Sequence, residues 1–160
     1  MASRSEIKIC GACQALPAFY VSLKATFWYR APIDQLITGY MYFNHWEHAH
    51  TLIQLSLKQF FDVCTSSLVI PVPSHPARIR QRGFNAVYEL IRLYSKYINF
   101  DYDFNCLQRT RYTETQTVKS KMQRIKNVRD AFSLVKKIDY EEVTIFDEVV
   151  TTSATVNEIS

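Results

Sequence analysis

The sequence predicts an α/β domain: a mostly parallel sheet flanked by helices, with a small helical subdomain ahead of it. Two stretches carry the sheet. Ser67-Leu-Val-Ile-Pro-Val72 and Val143-Thr-Ile-Phe146 are short, β-branched or aromatic, and bounded by polar or turn residues, as buried strands are. Behind each comes a polar loop and then the start of a helix, the order that joins parallel strands. Upstream, residues 31–61 carry apolar side chains at helical spacing, interrupted only by Gly39. Residues 1–61 are therefore expected to form the helical subdomain, a hood over the ligand side, and residues 62–160 the α/β core.

The chain has 160 residues, 48% of them hydrophobic, which is enough for one substantial core and too little for two. Three glycines and five prolines leave no room for a low-complexity reading, and no internal repeat is present. The apolar runs are too short to cross a bilayer and residues 1–12 lack the hydrophobic block of a signal peptide, so a soluble cytoplasmic protein with no membrane partner is expected. Of four cysteines only Cys10 and Cys13 are close together, which is not a secreted disulfide framework. The net charge is +4, and the cations gather at residues 78–82 and 109–129. Anionic ligands are implied.

Taken in order, Cys10-Gly-Ala-Cys13 has the spacing of half a zinc site. His45, His48 and His50 could complete it, His45 and His48 from one helical face. The favoured alternative is two free thiols and a solvated histidine cluster. In residues 31–61, Pro32 suits a first helical turn, Ile33, Leu36, Ile37 and Tyr40 form one apolar stripe, and Gly39 separates or bends the helix from a second pattern through Ala49, Leu52, Ile53, Leu57 and Phe60. After the strand at 67–72, closed by Pro71, comes a basic, proline-rich loop with Arg78, Arg80 and Arg82, whose forked donors suit phosphates. Asn85 is placed to cap a helix over residues 86–97, with Val87, Leu90, Ile91 and Tyr94 on its apolar side. Residues 109–129 set seven cations against Glu114 and are expected to be helical from about Thr113.

The chemistry concentrates where the strand at Val143 ends. Asp147 and Glu148 are adjacent carboxylates, and Thr151, Thr152, Ser153, Ala154 and Thr155 open a loop leading into a helix. Ligands of open α/β sheets sit beyond the carboxyl ends of strands. Paired carboxylates accept hydrogen bonds from neighbouring hydroxyls, while hydroxyl side chains and free backbone N–H groups suit a phosphate. A 5-phosphorylated ribose carries both groups.

This stretch resembles the signature of type I phosphoribosyltransferases. Val72-Pro73 with Arg78, Arg80 and Arg82-Gly-Phe-Asn85, then Thr113-Glu-Thr-Gln116, Arg124, Asn127 and Ala131-Phe132, resemble further blocks of the ComF/GntX family, phosphoribosyltransferase-like proteins related to bacterial competence proteins. The blocks stand in family order ahead of the acidic pair. The resemblance implies a type I phosphoribosyltransferase-like fold and binding of phosphoribosyl pyrophosphate (PRPP) or a related sugar phosphate. It further implies transfer of ribosyl 5-phosphate to a nitrogen nucleophile, with magnesium on the pyrophosphate. In that scheme Asp147 and Glu148 hold the ribose hydroxyls, and Thr151 to Thr155 cradle the 5-phosphate. Arg78, Arg80 and Arg82 face the pyrophosphate, and Gln116, Arg124 and Asn127 contact or order the ligand.

The chain departs from the family pattern in several places. Only one Cys pair remains, Met41 stands where a lysine is usual, and Ser153 replaces a glycine suited to positive φ. The helix after the phosphate loop has only residues 154–160, where family members run on to a further strand. An apparent C-terminal truncation, weak order beyond about Val156 and an open sheet edge prone to self-association into a homo-oligomer are expected. Two alternatives stay open: a non-catalytic module of the same fold assisting DNA uptake with its partners, and direct binding of single-stranded nucleic acid. The latter needs aromatics on a basic face, and periodicity places most of them in the core.

Overall fold

The computed structural model describes residues 19–64, 67–112, 121–151 and 153–160. In chain order these form α1 (Ile33–Phe43), α2 (Trp46–Cys64), β1 (Leu68–Pro71), α3 (Pro76–Arg82), α4 (Ala86–Tyr94), β2 (Leu107–Arg109), α5 (Lys121–Val128), β3 (Phe132–Leu134), β4 (Val143–Phe146) and α6 (Ala154–Ile159).

β1 and β4 pair in parallel, with Leu68 opposite Val143 and Pro71 opposite Phe146. On the other side of β1, Val69 bridges in parallel to Tyr102: its N–H donates to the Asp101 carbonyl at 2.9 Å, and its own carbonyl accepts from the Asp103 N–H at 3.1 Å. The middle strand of this small parallel sheet is therefore β1. β2 and β3 form a separate antiparallel pair. The far edge of β4 carries no strand among the described residues.

Side chains alternate across a strand, and β1 uses both faces. Val69 packs into the main cluster with Tyr40, Ala49, Ile53, Phe60, Ala86, Leu90, Ile91 and Tyr94 from α1, α2 and α4. Leu68 and Ile70 point the other way, into a second cluster with Cys106, Leu107, Phe132, Ile145 and Ile159. The continuous apolar run of residues 68–71 is thereby explained, since a strand covered on both sides has no polar face. α2 runs past residue 61 to Cys64, and the main cluster joins it to β1 and α4 in one core.

The break between α1 and α2 falls at Asn44, not at Gly39. Asn44 adopts the left-handed conformation (φ 59°) that ends α1, a role this side chain tolerates. Gly39 lies buried inside α1, and a Cβ there would stand 2.3 Å from Nδ1 of His48. Its small size lets α2 approach. The expected basic loop is also partly helical. His75 caps α3 by accepting the Ala77 N–H at 3.1 Å, Pro76 follows, and Gly83 ends the helix at φ 87°. The helix expected over 86–97 ends at Tyr94.

Arg109 belongs to β2, residues 113–120, where the basic helix is expected to begin, lie outside the described ones, and α5 accounts for 121–128. Past Val156 the chain stays helical to Ile159. The packing that so short a helix requires comes from buried Ala154, from Ile159 in the second cluster, and from Glu158, which accepts the Asp130 N–H at 2.7 Å.

The core holds fewer aromatics than expected. Trp28, Tyr29, Tyr42, Phe43 and Trp46 are all exposed. Among the described residues, no helix is long and apolar enough to cross a membrane.

Glycine inside a helix costs about 1 kcal/mol relative to alanine. Gly39→Ala should recover that stability only once His48 is truncated. Chemical denaturation of Gly39→Ala, His48→Ala and the double variant should therefore show a coupling of about 1 kcal/mol between the sites. Additive effects would mean that the helices do not meet there.

Candidate functional site

Because β1 and β4 are parallel, the segments following them leave from the same edge. The Val72 N–H donates to the Phe146 carbonyl at 2.8 Å, so the two strands end side by side. Phe146 is fixed by edge-on packing against Phe60 and Tyr94, with ring centroids 5.5 and 5.9 Å away. Tyr94 is held in turn by its hydroxyl's hydrogen bond with Ser56. The next residue, Asp147, is thus delivered from a rigid aromatic anchor.

The Asp147 carboxylate accepts the Glu148 N–H at 3.0 Å. Burial pushes its carboxyl well above the usual carboxylate range, helped by the charge and side chain of Glu148 and opposed by the Glu148 N–H and by Arg109. Arg109, from β2, lies in the same field. Its guanidinium is disfavoured by burial and by Arg78, and favoured by Asp147 and Glu148. Its charged end also lies 5.1 Å from the Phe132 ring centroid. Tyr40 closes the neighbourhood from α1: its hydroxyl donates to the Ala86 carbonyl at 2.8 Å. Its pKa is raised by burial and then by Glu89 and Glu148, with Arg82 acting against them.

Asp147, Val149, Val150, Thr151 and residues 153–156 line a shallow, open hollow. Ser153 enters it at φ 54° and ψ 9°, a left-handed conformation. A glycine-like position is therefore filled by a residue with a Cβ.

Of the sequence-predicted residues, Asp147, Glu148, Thr151, Ser153, Ala154 and Thr155 stand together at this edge, and Thr152 lies outside the described residues. Arg78 and Arg82 on α3 are half-buried and act on groups that also feel the acids, whereas Arg80 is exposed. The Arg82 guanidinium rests over Tyr42, 4.8 Å from the ring centroid. Asn127 sits in α5, which packs against α6, and its carbonyl accepts a hydrogen bond from Arg111 at 3.1 Å. Gln116, Cys10 and Cys13 fall outside the described residues, as does the side chain of Arg124. Met41 is buried in the main cluster, a core position in this chain.

Arg109 and Tyr40 escaped the sequence reading. The signal for Arg109 is its place directly after Cys106 and Leu107, in a short strand ahead of the stretch expected to be helical from about Thr113.

No protein-family profile and no solved structure matches the chain. Curated relatives do. It is 31% identical over 157 residues to the DNA utilization protein YhgH of Escherichia coli, covering 94% of this chain and 69% of that protein. The chain belongs to the ComF family. Competence protein F of Haemophilus influenzae is 28% identical over 160 residues, covering 94% of this chain and 70% of the relative. The YhgH protein of Salmonella typhi is also 28% identical. These matches span 94% of this ComF-family chain and are not confined to the acidic pair.

Two outcomes follow from the strain at this edge. Replacing Ser153 by glycine should relieve its left-handed backbone and raise the unfolding free energy by up to about 1 kcal/mol, measured by urea denaturation. A loss of stability would show that the Ser153 side chain holds the loop.

The second concerns Asp147. A carboxyl with a raised folded-state pKa keeps its proton in the native state after the unfolded chain has lost it. Stability therefore falls as pH rises from the ordinary value of about 4 through the folded value. Asp147→Asn removes that loss. Its gain in melting temperature over the native chain should be small near about pH 4 and grow toward about pH 8. A gain independent of pH would mean that the carboxyl is solvated.

Proposed function

We propose that this ComF-family protein serves competence or DNA utilization through a phosphoribosyltransferase-like module that binds a 5-phosphorylated ribose of the PRPP class. The names of its relatives, Competence protein F and DNA utilization protein YhgH, support the cellular role. The convergence of Asp147 and Glu148 with Arg78 and Arg109, beside the hollow lined by Thr151, Ser153 and Thr155, carries the ligand reading. Carboxylates accept the ribose hydroxyls, the loop takes the 5-phosphate, and the guanidiniums face the remaining phosphates.

The presence of cations opposite the acids favours a second, catalytic reading. Displacement at the anomeric carbon builds positive charge there as pyrophosphate departs. Asp147 and Glu148 would stabilise the sugar while Arg78 and Arg109 take the leaving group, by positioning and electrostatics. Magnesium would travel with the pyrophosphate and keep most of its ligands as phosphate oxygens and water. Asp147, which burial drives toward protonation against the pull of Arg109, suits hydrogen bonding with a sugar hydroxyl better than a cation cage.

A thermal-shift titration with PRPP and magnesium should raise the melting temperature with ligand concentration, as mass action requires. Asp147→Asn with Glu148→Gln should abolish the shift, and Arg109→Gln should reduce it by about 1.5–3 kcal/mol of binding energy, the loss of one charged hydrogen bond. No shift with millimolar PRPP would end the proposal. Magnesium-dependent pyrophosphate release with a panel of amines and bases separates transfer from binding alone.

A further inference from the structure

Away from the acidic edge, the corner between α1 and α2 gathers three metal-ligating side chains. His45 lies just before α2, and Glu47 and His48 lie in its first turn. One ligand atom from each stands within 4.8 Å of the other two. The His45 Nδ1 and a Glu47 carboxylate oxygen are 2.8 Å apart, and the two imidazoles stack with centroids 5.0 Å apart. Sequence spacing placed His45 and His48 on one helical face. The Asn44 turn brings them together by a different route, with Glu47 between them.

We propose that His45, Glu47 and His48 form a site for one divalent transition-metal ion of the zinc class, independent of Cys10 and Cys13. Two imidazoles and one carboxylate are a nitrogen-rich set that suits zinc over magnesium or calcium, with water in the fourth position. A further observation separates this corner from an ordinary surface ion pair. Nδ1 of His48 is buried with no hydrogen-bond partner among the described residues. It is set against Gly39, where a side chain would collide with it. That packing fixes the orientation of the His48 ring, as the surroundings of metal-bound histidines do, and a cation would be met by the ring's other nitrogen.

The ion's place gives it a structural role. Trp46, between His45 and Glu47, packs on Tyr40 and Phe84 at 5.6 and 5.0 Å. Closing the corner with a cation would fix the end of α1 that carries Tyr40 and Tyr42. Tyr40 bonds to Ala86 and Tyr42 lies under Arg82.

The test uses the full chain in a Cys10→Ser/Cys13→Ser background, titrated with zinc against a chromogenic chelator and with cobalt followed by its visible absorption. One equivalent should bind, with no thiolate-to-cobalt charge-transfer band. His45→Ala and Glu47→Gln should each weaken binding by at least about tenfold. The side chains of His45 and Glu47 are 50% and 69% exposed, so folding should survive both changes, which circular dichroism checks. No zinc binding by the Cys10→Ser/Cys13→Ser chain at micromolar metal, or binding unchanged by both substitutions, would overturn the site.

Discussion

Parallel pairing of β1 with β4 is the constraint on which the rest of the structure depends. A pair of four-residue strands is marginal by itself. It persists because β1 buries Val69 toward one cluster and Leu68 and Ile70 toward the other, each side chain contributing about 1.5–3 kcal/mol. The same pairing sets the geometry of the functional edge. Parallel strands that end together force the segments after them to start together, so the α3 arginines and the acidic loop become neighbours despite their distance in sequence. A slip of one residue would turn Phe146 away from Phe60 and Tyr94 and move Asp147 to the other face.

The charges at that edge are held under opposing pressures. Burial is the largest effect on both Asp147 and Arg109, and in each case it disfavours the ionised form. Their attraction offsets part of this, while Glu148 worsens the position of Asp147 and Arg78 that of Arg109. The left-handed Ser153 adds backbone strain to the same loop. Such an edge is less stable alone than a solvated turn would be. Partners able to donate to the carboxylates and accept from the guanidiniums would gain by entering it.

Much of this was legible in the sequence, for identifiable reasons. β1 stands out because a strand covered on both faces becomes an unbroken apolar run, while β4, half-buried and holding Thr144, stands out by its β-branched and aromatic residues and by the acidic pair directly after it. Ser153 was recognisable as a position needing positive φ only through the family pattern. The structure shows that conformation. What misled was punctuation and length. Gly39 looked like a break because glycine weakens helices, yet it serves close approach to His48, and Asn44 makes the turn. The α3 segment carries Pro76 and Gly83 at its two ends, a helix's proper boundaries, but its seven residues show no apolar stripe to mark it. Arg109 was hidden by its basic neighbours. Strand β2 is three residues long, too short for alternation to outweigh the run of charge that follows.

The helices α1 and α2 bear on how the edge is enclosed. A lid must leave its closed position at little cost, and these helices cannot. Lifting them would break the buried Tyr40 hydrogen bond to Ala86, worth about 1 kcal/mol. The stacked Phe60 and Tyr94 rings, 3.9 Å apart, would separate at a further cost of about 0.5–1.5 kcal/mol. Ala49, Ile53 and Phe60 would also be exposed, for several kcal/mol more. Phe146 would lose its support in the same movement, and Asp147 its position. The helical pair is therefore a fixed wall that sets the acidic loop.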